Sequence, residues 1–189
     1  MASHVALLRG INVGGKNKVP MAELREVVTS LGHTGVSTYI QSGNVLFTTE
    51  ETDTAELASA LEAAIAGQFG INPAVVVLSR DELARILADN PHRDEPNPKC
   101  VHVAFLGAEP GQELLDRIKA AESAAAAKGG RDTITAIGKA LYLHTPDGYG
   151  NSELSEALFR ITGTGKKPLA VTARNWSTST TLLALCEGK

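Results

Sequence analysis

The order in which hydrophobic periodicity changes along the chain constrains its fold more than any single motif, because the same succession occurs twice. Residues 4–11 make an apolar run suited to a strand, and 20–31 carry Met21, Leu24, Val28 and Leu31 on one helical face, with Pro20 in the first turn and Gly32 as the stop. Val36, Thr38 and Ile40, then Val45 and Phe47, alternate about Ser42-Gly43, which predicts a hairpin of strands 36–41 and 44–48. A helix over 53–69 follows, opened by Asp53 with Glu56 at capping-box spacing and lined by Leu57, Leu61, Ile65 and Phe69. A strand over 73–78 and a helix over 79–89, where Ser79 and Glu82 repeat the device, complete the set. The second half repeats it: strand 100–107, helix 112–127, strands 131–137 and 140–144 about Gly138-Lys139, helix 151–161 capped by Asn151, strand 168–173, and helix 175–186 capped by Asn175.

A βαββαβ unit with a trailing helix, used twice, predicts an α+β fold built as a tandem pair of ferredoxin-like halves. Between them, Asn90 to Lys99 holds Pro91, Pro96 and Pro98 among Arg93, Asp94, Glu95 and Lys99, which no helix or central strand accepts. The expected organisation is a half over 1–90, a linker over 91–99 and a half over 100–189. With 189 residues and 43% hydrophobic content the chain can bury a real core. A net charge of -3 and a pI near 6.0 exclude a protein that coats nucleic acid through bulk charge, so any phosphate contact must come from a local patch. No basic segment followed by an apolar one opens the sequence, and no run of about 18 apolar residues occurs, so the expectation is a cytoplasmic protein without membrane contact. Cys100 and Cys186 are too sparse for a disulfide framework and read as buried reduced thiols.

The local patch is Arg9 to Pro20, Arg-Gly-Ile-Asn-Val-Gly-Gly-Lys-Asn-Lys-Val-Pro, where an apolar strand runs into glycines and bases that open a helix. Adjacent glycines let backbone approach a ligand, helix starts present unpaired N–H groups, and Arg9, Lys16 and Lys18 add charge. It is neither a Walker loop, lacking the spacing and the Ser or Thr after lysine, nor a dinucleotide fingerprint, since Gly10, Gly14 and Gly15 miss that register. In a ferredoxin-like half the first two strands are parallel, so this loop and the hairpin at Gln41 to Asn44 emerge at one sheet edge. The candidate anion site is therefore Arg9, Asn12, Gly14, Gly15, Lys16, Asn17 and Lys18 with Gln41, Ser42 and Asn44. The matching edge of the second half, Gly107 to Gly111 with Ile137 to Lys139, has little comparable chemistry.

Arg174, Asn175 and Trp176 form a second candidate patch, where Trp176 beside Arg174 would stack on a base; the helical spacing to Ser179 and Leu183 instead reads it as a core anchor. Cys100 and His102 share a strand face, but with Cys186 they lack the paired spacing of a zinc site, so neither metal nor other cofactor is expected. Tyr39 and His144 are the titratable groups an enzyme would draw on, although Tyr39 alternates along a strand and His144 ends one, which reads both as structural; Asp94 and Glu95 read as a solvated turn. The first strand lacks aromatics and the third has only Phe47, against base stacking across the sheet.

The runs Ala6 to Met21, Tyr39-Ile-Gln-Ser-Gly-Asn-Val and Thr172-Ala-Arg-Asn-Trp-Ser-Thr resemble the hallmark blocks of a bacterial family, domain of unknown function 1697. The chain departs from that pattern at Ser177, where an asparagine is expected. The resemblance implies one folded unit across nearly the whole chain and no established activity, substrate or catalytic residue. The functional expectation is binding of a small phosphate- or carboxylate-bearing ligand at the glycine-rich edge. The alternatives are an enzyme acting on a phosphorylated metabolite and a weak nucleic-acid-binding module; oligomeric state is left open.

Overall fold

The computed structural model describes residues 1–162 and 169–189. The first succession is β1 (His4–Leu8), α1 (Met21–Ser30), β2 (Thr34–Tyr39), β3 (Asn44–Thr48), α2 (Thr54–Phe69), β4 (Val75–Ser79) and α3 (Arg80–Ala88). The second is β5 (Val101–Leu106), α4 (Gln112–Ala126), β6 (Thr133–Ile137), β7 (Ala140–His144), α5 (Glu153–Thr162), β8 (Val171–Asn175) and α6 (Trp176–Cys186). Pro168, where the last strand was expected to begin, lies outside the described residues, and β8 starts at Val171. The chain is thus α+β, with two four-stranded antiparallel sheets in the orders β2-β3-β1-β4 and β6-β7-β5-β8. It divides into two compact units, Met1–Arg85 with Thr180–Lys189, and Ile86–Ser179.

Each sheet packs one face on its two long helices. Ala6, Leu8, Val45, Phe47, Val75 and Val77 meet Leu24 and Val28 of α1 and Leu57, Leu61 and Ile65 of α2. In the other unit Ala104, Leu106, Leu141, Leu143 and Val171 meet Ile118 of α4 and Leu154 and Leu158 of α5. The opposite faces are buried too, through Val5, Leu7, Leu46, Val76 and Leu78, and through Val103, Phe105 and Tyr142. That double burial is why the central strands read as continuous apolar runs rather than alternating ones. Among the described residues no helix is long and apolar enough to cross a membrane.

The helix starts separate local from longer-range causes. Ser79 and Glu82 form the complete reciprocal box: Ser79 Oγ accepts from Glu82 N at 3.1 Å and Glu82 Oε2 accepts from Ser79 N at 2.9 Å. Asp53 caps α2 by accepting from Ala55 N and Glu56 N, but its own N–H goes to Glu51 Oε1 at 2.8 Å, so Glu51 replaces Glu56 as the second carboxylate. Asn175 accepts from Thr178 N at 2.7 Å, as its position before α6 suggested. At α5 the cap is Ser152, whose Oγ accepts from Ser155 N at 2.9 Å; the expected Asn151 sits in a preceding turn and donates to Asp147 O.

The hairpin turn between β2 and β3 is held by a close approach. Gly43 has φ +80, its carbonyl accepts from Leu8 N at 2.8 Å, and a Cβ there would lie 2.7 Å from Leu8 Cβ and 3.0 Å from Ile11 Cδ1. Gly10 has φ +71 but open space around it. Gly43→Ala therefore loses roughly 2–5 kcal/mol, the sum of a left-handed penalty and overpacking. Gly10→Ala loses only about 1 kcal/mol. Denaturant midpoints of the two variants check this, and equal losses would show that the contact with Leu8 and Ile11 is not limiting.

Candidate functional site

The glycine-rich segment is a loop with buried ends and an exposed middle. Leu8 N is bonded to Gly43 O, Arg9 N donates to Ala74 O at 2.9 Å, and Ile11 and Val19 are buried in the apolar cluster under α1 and α2. Residues 13–18, between those anchors, are exposed. Lys16 N donates to Val13 O and Asn12 N to Asn17 O, both at 3.0 Å, with Gly14 at φ +57 and Gly15 at φ +75 between them. This is a tight turn with two left-handed central residues, the conformation adjacent glycines supply. The glycines do not run directly into the helix as expected: Pro20 takes the N-cap position of α1 in an extended conformation, and the loop closes on itself first.

Asparagine amides do the closing. Asn12 Nδ2 donates to Val19 O at 2.9 Å and to Gln41 O at 3.0 Å, and Asn12 Oδ1 accepts from Val19 N at 2.8 Å. Asn17 Nδ2 donates to Gly10 O at 2.9 Å. Buried Asn44 donates to Tyr39 O and to Ser42 Oγ, each at 3.0 Å, closing the turn at 40–43. The two loops do meet at one sheet edge, through Asn12 and Gln41. Three of the ten expected ligand groups, Asn12, Asn17 and Asn44, are nonetheless committed to backbone or neighbouring side chains, and Arg9 and Ser42 also make interactions within the protein. What the edge presents outward is Lys16, Lys18, the Gln41 side chain and the Gly14 and Gly15 backbone, all exposed.

The second candidate patch is built differently from its expectation. Arg174 donates to Thr172 Oγ1 at 2.7 Å and to Ala173 O at 2.8 Å, and burial pulls its guanidinium down to about 10. Trp176 opens α6 partly buried, and the fully buried stripe of that helix is Ser179, Leu182 and Cys186. Cys100 and Cys186 are both buried and free, with Cys186 pushed up to about 11 by burial. Among the described residues no group of three or more His, Cys, Asp or Glu is placed to hold a metal ion.

One constellation escaped sequence reasoning. His144 Nε2 and Glu95 Oε2 lie 2.6 Å apart, Glu95 Oε1 accepts from Asn97 N at 3.0 Å, and the His92 ring stacks on His144 at 4.8 Å. Glu95 is thus a clamp on the end of β7 rather than part of a solvated turn. The Asn97 N–H and His144 hold its carboxyl below the usual range, while burial and the neighbouring His144 lower His92. No spacing signal marks a pair so far apart in the chain.

With that geometry in view, the sequence matches the pattern of a family described as protein of unknown function, DUF1697, over residues 1–142. The chain belongs to this family. It is also similar to the solved structure of a conserved bacterial protein from Streptococcus pneumoniae, with 25% identity, a TM-score of 0.70 and coverage of 98% of each chain. No curated protein matches. Both loops of the candidate edge and their asparagine anchors fall inside the region that the DUF1697 pattern spans.

Buried histidines set an acid limit on this family member. His4 stacks on Phe47 at 5.7 Å, His33 lies tilted against the same ring at 4.7 Å, His102 stacks on Tyr149 at 3.9 Å, and burial lowers all three, His102 to about 4. Among the described residues His33 Nε2 and His102 Nδ1 have no hydrogen-bond partner. Each is kept neutral in the folded state, so the unfolded chain binds protons first as pH falls below about 6.5, and stability drops from there until the folded groups titrate. Denaturant midpoints should be level from pH 8 to 7 and fall between pH 6.5 and 4. His102→Gln should flatten part of that fall; an unchanged profile would remove His102 from the account.

Proposed function

We propose that the edge formed by the 12–18 loop and the 40–43 turn binds a small anion bearing a phosphate or carboxylate. The observation that carries this is a set of unused donors in one place. The Gly14 and Gly15 backbone N–H groups make no hydrogen bond among the described residues, and the Lys16 and Lys18 ammonium groups beside them form no ion pair there. Backbone donors give direction to an oxyanion and lysines give mobile charge. The asparagine scaffold supports the same reading, since it holds those donors outward without using them. In this proposal each half is a ferredoxin-like unit, supported by the antiparallel order β2-β3-β1-β4 with its two helices on one face, and repeated as β6-β7-β5-β8.

A ligand that binds only the folded state at a hundred times its dissociation constant adds about 2.7 kcal/mol of stability. For a chain of this size that raises the melting temperature by roughly 5–10 °C. Thermal shift with inorganic phosphate, nucleotides and phosphosugars should show such a rise, and Lys16→Ala with Lys18→Ala should abolish it. No rise with any anion, or one indifferent to both substitutions, sinks the proposal.

The nucleic-acid alternative predicts a different response to salt. Log affinity for duplex falls with log salt by about 0.9 per phosphate contact, and Arg9, Lys16 and Lys18 supply at most about three contacts. Duplex binding should therefore be weak and lost near physiological salt, while a small anion held by directed N–H groups is less sensitive. Tight duplex binding that persists at high salt would reverse the ranking.

A further inference from the structure

Among the described residues the non-glycine positions held at positive φ are Asn12 at 54, Asn17 at 49 and Ile40 at 49, and all three belong to this edge. Asparagine tolerates the left-handed region because its short amide bonds locally, and both asparagines here use theirs for that. Ile40 has no such reason. A β-branched side chain is among the least suited to this conformation, and Ile40 is 51% exposed, so internal packing does not hold it there. Strain and apolar exposure at one residue point to a contact made outside the chain.

The partner loop offers the same chemistry. Val13, 66% exposed, precedes the two glycines at the loop tip. Asn12, one residue before it, donates to the carbonyl of Gln41, one residue after Ile40, at 3.0 Å. Two exposed β-branched residues thereby belong to the same pair of joined loops as Lys16, Lys18 and the Gly14 and Gly15 donors. Cations beside apolar surface complement a ligand that is anionic at one end and apolar at the other, and a bare inorganic anion would leave the apolar half unused.

Building on the anion site proposed above, we infer that its ligand is amphipathic: a charged group taken by Lys16, Lys18 and the glycine N–H groups, joined to an apolar body that covers Val13 and Ile40. The apolar contact decides which anions are selected.

The test uses the full chain and two phosphate probes, inorganic phosphate and phenyl phosphate, compared by calorimetry at a mildly alkaline pH where both are dianions, in wild type, Ile40→Asn, Val13→Ser and Lys16→Ala. Wild type should bind phenyl phosphate about tenfold tighter or better, the discrimination that covering a modest apolar area provides. Ile40→Asn should raise the melting temperature of the free protein by about 2–4 °C, because asparagine relieves the strain. The same variant and Val13→Ser should bring phenyl phosphate down to the affinity of inorganic phosphate while leaving inorganic phosphate unchanged. A gain in stability together with a loss of selectivity excludes unfolding as the cause. Equal affinity for the two probes in wild type, or a preference that survives Ile40→Asn, overturns the inference while leaving the anion site standing. Binding of phenyl phosphate that depends on Ile40 and ignores Lys16→Ala would instead sink the anion site and keep the apolar contact.

Discussion

Everything displayed at the loop edge depends on one side-chain amide. Asn12 sits in the left-handed region with its oxygen on Val19 N and its nitrogen shared between Val19 O and Gln41 O, so a single residue closes the 12–18 loop and ties it to the neighbouring turn. Exposed backbone without such closure loses its geometry to conformational entropy of about 1–2 kcal/mol per residue. Three hydrogen bonds, two of them at a partly buried site, act against that loss. The loop can therefore be exposed and ordered together, which a glycine-rich segment alone would not be. Beneath it, the contact of Gly43 with Leu8 and Ile11 sets how closely the turn approaches the end of β1, and so where Asn12 finds the Gln41 carbonyl.

The two halves use one strand order and differ where chemistry would sit. In the first, β1 and α1 are joined by residues 9–20 and the hairpin by a turn at 40–43; in the second, β5 and α4 are joined by 107–111 and the hairpin by Gly138 and Lys139 alone. Short connections leave no room for a second self-closing loop. The second half instead spends its polar side chains on holding its own segments, Glu95 on His144 and Arg131 on Asp147. Carboxylates from helices do similar work at strand N–H groups in both halves, Glu62 on Val75 and Glu122 on Ile134. An N–H satisfied this way is no longer an open pairing site, one of the ways a sheet edge is protected.

Element type and order were legible in the sequence because they rest on short-range causes. Ser79 with Glu82, and Asp53 before α2, are recognised within four residues, and the apolar stripe of α1 follows from helical periodicity. Choosing between adjacent polar residues was not legible: Asn151 and Ser152 both suit a cap, and the turn at Tyr149–Asn151 decides for Ser152. The candidate edge was legible as a meeting of two loops, since topology alone brings them together. Which amides face outward was not. An asparagine beside glycines has the same appearance whether it meets a ligand or bonds its own backbone, and only the positive φ of Asn12 and Asn17 separates the two. Glu95 and His144 illustrate the remaining limit, for nothing local marks a pair whose partners meet only after β5 and β7 have paired.

The distribution of backbone strain is then informative in its own right. Two sheets buried on both faces place nearly all their residues in ordinary extended or helical conformations, and the described non-glycine exceptions gather in two exposed loops of the first unit. Strain of this kind persists only where surrounding structure over-determines it. Asn12 and Asn17 show what over-determines it here, since each side-chain amide hydrogen-bonds nearby backbone while its own backbone is left-handed. Ile40 receives no such return from its side chain. It is carried by its neighbours, held between the last pair of β2 and β3, Tyr39 and Asn44, and the Gln41 carbonyl that Asn12 fixes. A fold that needed only a turn at this point would be served better by asparagine or glycine. Isoleucine there raises the energy of the free protein, a cost that the proposed ligand would offset by covering the side chain.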